Sequence, residues 1–454
     1  LILATSVGYQ IQAISARVDM TLAFFMTLTL ATFYLLYQNF VTGGLWTYGF
    51  YLLLGVSVLA KGPVGLVLPG MVILAFLGLR KRWDFLSRLC FHKGVVLTLT
   101  VGISWYAIAL MRGGEDFFNR QVIHENLARF FVYGEGGSGH QKSIYYYFPY
   151  LILWGLPWSL FLPFVVVDWF RSKSFGQDHS LFLVLWAGLI FLFFSLSAGK
   201  RSVYLLPLYP PLSLLVARWF REVRDAGRME AIGLRFVGGI ILFVCVALGA
   251  VLFDALLGLG YSWFFSAVAP MLRPKDQAEL LLVQRVLEKQ GWIFFSFLGA
   301  SVFLWAFLTW DLFRARVGQG TVKLWLVSLL TWQLAQMTFL PSMAESRSYK
   351  AFMVEVNRRM VGSGSLYIYG EGWDYASVVF YRGDRIPILK GDPVALKEKL
   401  RESEDYYIMG EREWRKLAAL GDFAFPPELT STGTGPDRRD PIVLIRGPKG
   451  QKGE

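Results

Sequence analysis

The sequence predicts a polytopic α-helical membrane protein, many spans followed by a small C-terminal α/β domain. Three observations predict it. The 454-residue chain is 55% hydrophobic and 17% aromatic, with 17% charged residues, where soluble domains carry about 25% charged residues. Apolar runs near 20 residues, the length that crosses a bilayer core, recur along the first three quarters. After Pro341 the pattern changes to short β-like runs alternating with helical ones.

The spans are expected near 1–16, 20–37, 46–60, 63–79, 94–111, 148–167, 181–197, 203–219, 236–258, 291–310 and 324–340, about eleven in all. The two around Lys61 are short and read equally as one broken hairpin. Between them, RKRWDFLSRLCFHK (80–93), RWFREVRDAGRMEAIGLR (218–235) and DLFRARVGQGTVK (311–323) are basic. Lys and Arg are retained on the cytoplasmic side of spans, so these loops are expected there. Alternation then puts 112–147, 198–202, 259–290, everything after 340, and the turns at Arg17-Val18-Asp19 and Lys61-Gly62 on the opposite, extracytoplasmic face. Residues 1–340 form the membrane domain in this reading and residues 341–454 an extracytoplasmic domain with a disordered tail.

In that second region LYIYG (366–370), YYIMG (406–410) and PIVLIRG (441–447) read as strands. DPVALKEKLRES (392–403) reads as a helix with Asp392 as N-cap and Pro393 at its first position. EREWRKLAAL (411–420) reads as another.

The formal net charge of +12 does not predict nucleic-acid binding. The basic residues lie between spans and form no separate basic domain, and membrane lipid head groups are the expected anionic partners. Cys90 and Cys245 form neither a disulfide framework nor a metal site. The chain begins at Leu1 inside an apolar run, without Met or a charged leader, and is expected to lack its true N-terminus.

Four stretches carry candidate chemistry. In ISARVDMTLAFF, Arg17 and Asp19 open an apolar run; Asp19 either caps that helix or serves a site. In LAKGPVGLVLPG, Lys61 has no acid near it in sequence; it either snorkels to the interface or presents a point charge to a phosphate. The loop 115–158 holds Glu125, Arg129, His140 and Lys142 around GEGGSG, whose context fits no phosphate-binding loop. His140 with an acid is a candidate for a divalent metal ion, although the spacing matches no metal motif. In SAGKRSVYLLPLYPP, Lys200, Arg201 and Tyr204 follow a small-residue turn. If the next span is helical from Arg201, Arg201 and Tyr204 share a face, and two cations with a phenol suit a phosphate diester. Pro207, Pro210 and Pro211 are expected to kink the span below.

In this order, ARVDM, LAKGPVGL, HENLARF with GHQKSIYYYFPYLILWGLPW, and SAGKRSVYLLPLYPPLSLL resemble the ArnT-like branch of the protein mannosyltransferase-related GT-C glycosyltransferases, over roughly residues 1–220. The resemblance implies transfer of a sugar, with inversion, from a polyprenyl-phosphate donor to lipid A, another glycan or a protein, on the periplasmic face of the bacterial inner membrane. By motif it assigns Asp19 to the acidic turn, Lys61 to the Lys-Gly turn, His140 to the histidine before the aromatic run, and Lys200 with Tyr204 to the Gly-Lys…Tyr segment. Lys61, Lys200, Arg201 and Tyr204 are the candidate donor-phosphate ligands; Asp19, Arg17, Glu125, Arg129 and His140 are supporting residues. The family's catalytic base lies in an earlier outer loop, expected upstream of Leu1, so no catalytic residue is named. No cofactor is implied beyond the open question of a divalent ion. A polyprenyl-phosphate-sugar or lipid flippase is the alternative reading, using the same cations without bond cleavage.

Overall fold

The computed structural model describes residues 1–15, 17–89, 91–119, 142–222, 228–257, 266–272, 274–314, 317–360, 364–370, 375–389, 393–419, 425–432 and 441–447. It is mostly helical and divides into two compact units, residues 1–246 with 303–330 and residues 247–302 with 331–454.

Among the described residues seven helices are long and apolar enough to cross a membrane: Val18–Tyr37, Gly44–Lys61, His92–Glu115, Asp178–Leu196, Ser202–Glu222, Ala231–Asp254 and Trp292–Phe313. Their outward faces stay apolar. In Val18–Tyr37, Met26, Leu30 and Phe33 are fully buried while Phe24, Leu28 and Leu35 are exposed. A helix with no polar side is what a lipid surround requires. Phe33 centres an aromatic cluster in the first unit, its ring 5.8 Å from those of Phe85 and Phe182 and 6.2 Å from that of Phe50.

Four expected spans take another form. The 324–340 stretch is not among the seven: its residues run from Val317–Leu334 into a π-helical segment at Ala335–Phe339. The Leu1–Ile14 region holds a short 3-10 turn at Leu3–Thr5 and a seven-residue helix, Val7–Ala13, instead of a span. Thr5, Ser6 and Gln12 are buried against protein there, and Trp158 Nε1 donates to Thr5 Oγ1 at 2.9 Å. These polar side chains need protein partners that hydrocarbon cannot supply. The expected 148–167 span is a pair, Ile144–Gly155 and Trp158–Arg171, bent by 111°, because Pro157 cannot continue the helix that precedes it. Val64–Arg80 is apolar but shorter.

That last helix forms a tight hairpin with Gly44–Lys61. Gly62 turns the chain at φ +75° and ψ −153°, a conformation that glycine adopts without steric cost. A Cβ on Gly65 would lie 2.2 Å from the Ser57 carbonyl oxygen, so glycine is what lets the two helices touch.

In the second unit the sheet order is β2-β1-β3-β5-β4, from β1 (Leu366–Tyr369), β2 (Ile388–Leu389), β3 (Tyr406–Gly410), β4 (Leu429–Thr430) and β5 (Ile442–Arg446). β2, β1 and β3 run parallel and β5 and β4 pair antiparallel beside them. Leu366, Ile368, Tyr406, Ile408, Ile442 and Leu444 pack with the Lys350–Arg359 and Ala376–Arg382 helices. The alternate residues Tyr369, Tyr407, Met409, Val443 and Ile445 pack with Leu396, Leu400 and Leu417 of the Pro393–Glu402 and Glu411–Ala419 helices. Both faces are covered, so these strands read as unbroken apolar runs.

Candidate active site

Asp19 lies in the first turn of Val18–Tyr37, and Lys61 is the last residue of Gly44–Lys61. A helix favours negative charge at its start and positive charge at its end, so each residue sits where its own helix stabilises it. The two ends meet: the Lys61 ammonium forms an ion pair with the Asp19 carboxylate, both side chains mostly shielded. The same ammonium stands 4.1 Å from the centroid of the Tyr204 ring, a cation–π contact.

Tyr204 is placed by the Ser202–Leu208 segment, which is a 3-10 helix instead of the expected α-helix. Arg201 precedes it in extended conformation, φ −131° and ψ 140°, so Arg201 and Tyr204 are not neighbours on one α-helical face. The Tyr204 amide still donates to the Arg201 carbonyl at 3.1 Å. The segment is held from both sides. Trp186 Nε1 donates to the Pro207 carbonyl at 2.9 Å, and the Tyr204 ring lies 5.2 Å from that of Phe194. Beneath, Ala23, Val203 and Leu206 form a buried apolar patch with Met20 and Trp154 against it. The chain winds as 3-10 through Pro207 and turns α-helical from Tyr209, with Pro210 and Pro211 in the first turn of that helix, so no kink marks them.

Lys200 is 3% exposed. Its ammonium donates to the carbonyl of Ser197, and no acid pairs with it among the salt bridges of the described residues. Burial pushes its pKa below the ordinary lysine range, because a low-dielectric surround disfavours the charged form. Ser195 and Ser197 are buried beside it in sequence, and Ser195 Oγ has no hydrogen-bond partner among the described residues. Arg17 and Arg201 are exposed.

Of the sequence-predicted residues, Asp19, Lys61 and Tyr204 are therefore brought together, with Lys200 and Arg201 on the turn leading into Tyr204. Glu125, Arg129 and His140 lie outside the described residues, as does the GEGGSG stretch. No group of three or more His, Cys, Asp or Glu suited to a metal ion occurs among the described residues. Two features escaped the sequence. Lys61 has an acidic partner 42 residues away, and Tyr204 engages it through its ring where a hydroxyl contact to phosphate was expected.

What this arrangement can do follows from its charges. A buried ammonium without a carboxylate is costly unless an anion arrives to share the site. A lysine already steered by a carboxylate and a ring is fixed in direction, which is how a point charge is preorganised.

No family model matches the chain. Over 217 residues, 47% of its length, it is 31% identical to the undecaprenyl phosphate-alpha-4-amino-4-deoxy-L-arabinose arabinosyl transferase of Yersinia pestis (strain Pestoides F). Over 213 residues, 46% of its length, it is 28% identical to the protein of the same name from Edwardsiella ictaluri (strain 93-146). Each match spans 37% of the relative, little more than a third of its length. The crystal structure of ArnT from Cupriavidus metallidurans bound to undecaprenyl phosphate superposes with a TM-score of 0.70 at 18% identity, over 100% of this chain and 79% of that one. The apo state of the same protein gives 0.67 at 19% identity, over 98% and 77%. The chain thus has the ArnT fold and resembles ArnT-like GT-C proteins in sequence over about half its length.

Proposed function

We propose that this chain is the membrane body of a GT-C glycosyltransferase. It moves a sugar, a pentose in the nearest analogy, from a polyprenyl-phosphate donor to an acceptor on the periplasmic face of a bacterial inner membrane, with inversion at the anomeric carbon. Lipid A is the favoured acceptor, as the resemblance to ArnT-like enzymes implies; a glycan or a protein is the alternative. In this proposal residues 1–340 form the catalytic membrane domain and residues 341–454 a periplasmic α/β domain.

The observation that carries the reading is the meeting of Asp19, Lys61 and Tyr204, with Lys200, buried and without an acidic partner among the described residues, four residues before Tyr204. Transfer leaves negative charge on the departing polyprenyl phosphate, and fixed cations at that place lower the barrier. Lys200 has three N–H donors, one of them on the Ser197 carbonyl; the donor phosphate accepts from the ammonium and supplies its counter-charge. Lys61 adds a second directed charge, and the exposed Arg201 guanidinium closes on the phosphate from the outer side. Asp19 holds Lys61, so it is a positioning residue and not the base that takes the acceptor proton. The apolar donor tail enters sideways from lipid between spans.

The test supplies radiolabelled polyprenyl-phosphate sugar to the full-length protein in detergent with lipid A, glycan and protein acceptors. The expected result is labelled acceptor together with released polyprenyl phosphate. Label that instead crosses a liposome bilayer with the sugar–phosphate bond intact identifies a flippase and overturns the proposal.

A further inference from the structure

In the first unit the helices Ala231–Asp254 and Trp292–Phe313 approach each other at the end that carries the basic stretches 218–235 and 311–323. A Cβ on Gly238 would lie 3.3 Å from Leu312 Cβ, so a glycine there eases the approach. Arg235 Nε donates to the Phe313 carbonyl at 3.2 Å. That carbonyl ends its helix, where no helical N–H reaches it and the helix dipole is negative. The peptide that Arg235 meets joins Phe313 to Arg314. Arg314 turns back over the Trp310 ring, its guanidinium carbon 4.4 Å from the centroid. Both guanidiniums are thus held within a helical turn of one peptide, and both side chains are exposed.

Their charge has no counter-charge in the fold. Arg235 uses one of its five N–H donors, Arg314 lies over a neutral ring, and neither has an acidic partner among the described residues. Asp311, the acid nearest to Arg314 in sequence, is already in an ion pair with Lys323. A guanidinium stacked on an indole keeps the edge of its planar fork open, so both arginines retain in-plane donors for an anion.

The surroundings decide what kind of anion. Phe236 and Phe243 on one helix, and Phe303 and Trp310 on the other, are exposed. Each pair is seven residues apart and so shares a side of its helix. Such a surface suits acyl chains, and an indole at its edge marks head-group depth. A soluble phosphate would meet the two cations and gain nothing from the rings.

We infer that this end of the helix pair binds the head group of an anionic phospholipid. One phosphodiester accepts from Arg235 and Arg314 together, and the acyl chains lie along the exposed rings. Basic pockets between spans on the cytoplasmic side suit such lipids, and the sequence assigns both basic stretches to that side. The site does not rest on the proposed transfer reaction.

The test is native mass spectrometry of the full-length protein released from detergent, titrated with phosphatidylglycerol, cardiolipin, phosphatidylethanolamine and phosphatidylcholine. The expected result is retention of the first two in preference to the two zwitterionic lipids. Arg235→Gln and Arg314→Gln are each expected to weaken that retention about fivefold, the effect of one cation at a membrane surface. A control with Lys81→Gln and Lys93→Gln removes two exposed cations from the loop 80–93 and is expected to leave retention unchanged. Glycerol 3-phosphate, a head group without chains, is expected not to displace the lipid. Equal retention of all four lipids, or undiminished retention in Arg314→Gln, overturns the proposal. So does an equal loss in the Lys81 and Lys93 control, the mark of diffuse charge, or displacement by glycerol 3-phosphate, the mark of a soluble anion. Thermal unfolding establishes that each variant is folded; if Arg235→Gln is not, Arg314→Gln decides.

Discussion

At the scale of single residues, charge placement is set by helix polarity before any tertiary contact forms. Asp19 and Lys61 each occupy the helix end that favours them, and their pairing fixes the direction of the ammonium. Asp19→Asn keeps the shape but releases that constraint; it is expected to lower donor turnover about tenfold while Lys61→Ala lowers it about 10²-fold, by analogy with other electrostatic stabilisers. Steady-state rates on radiolabelled donor check both. Lys200 carries a pH dependence. Its pKa is lowered by burial, so the cation proposed for the phosphate is lost at a lower pH than for an exposed lysine. Donor binding should fall as pH rises through that lowered value, and Lys200→Arg, which stays charged, should shift the fall to higher pH. The linkage for the empty fold has the opposite sign: the folded state binds fewer protons than the unfolded one in that window, so stability rises with pH there. The candidate residues themselves were legible, because Lys61 and Lys200 interrupt apolar runs where charge is expensive. Their partners were not, since nothing in the sequence links Lys61 to an acid 42 residues earlier or to the face of an aromatic ring.

At the scale of elements, close backbone approach decides how the candidate site is built. The hairpin that ends at Lys61 depends on Gly65 lying against the Ser57 carbonyl. Gly65→Ala is expected to lower stability by about 1–3 kcal/mol, the usual range for overpacking, seen as a lower thermal midpoint in detergent, with a further drop for Gly65→Val. Losing the Trp186 hydrogen bond to the Pro207 carbonyl in Trp186→Phe should cost about 1 kcal/mol and loosen the 3-10 segment that carries Tyr204. β1, β3, β5 and the Pro393–Glu402 and Glu411–Ala419 helices were readable as apolar runs bounded by turns; the two-residue strands β2 and β4 and the Ala376–Arg382 helix were not, being too short to show a period. The Leu1–Ile14 region was misread because apolar composition alone does not distinguish a span from a segment whose Thr5, Ser6 and Gln12 are buried in protein. The bend at Pro157 and the 3-10 winding through Pro207 were legible only as the presence of prolines, since the angle that a proline imposes depends on what packs beneath it.

At the scale of the whole molecule, topology ties the site to one membrane face. The turns at Arg17–Asp19 and at Lys61, together with Ser202–Leu208, meet through side-chain contacts, and the basic loop 80–93 leaves from the far end of the Val64–Arg80 helix. In a background with Cys90 and Cys245 replaced by Ser, Arg201→Cys is expected to react with a membrane-impermeant maleimide added to intact spheroplasts, and Lys81→Cys only after lysis. The reverse pattern would place the site in the cytoplasm. The many-span class and its C-terminal α/β part were legible from composition and period; the number of long helices was not, because broken and short apolar segments have the same hydropathy as true spans. The central claim is that Lys200 and Lys61 together hold the phosphate of a lipid donor. Its most direct measurement is the affinity of full-length protein for polyprenyl phosphate, compared with Lys200→Ala and Lys61→Ala at neutral pH and fixed salt. The account predicts tight binding by the native protein and a loss of at least about tenfold in each variant; unchanged affinity in both folded variants would contradict it.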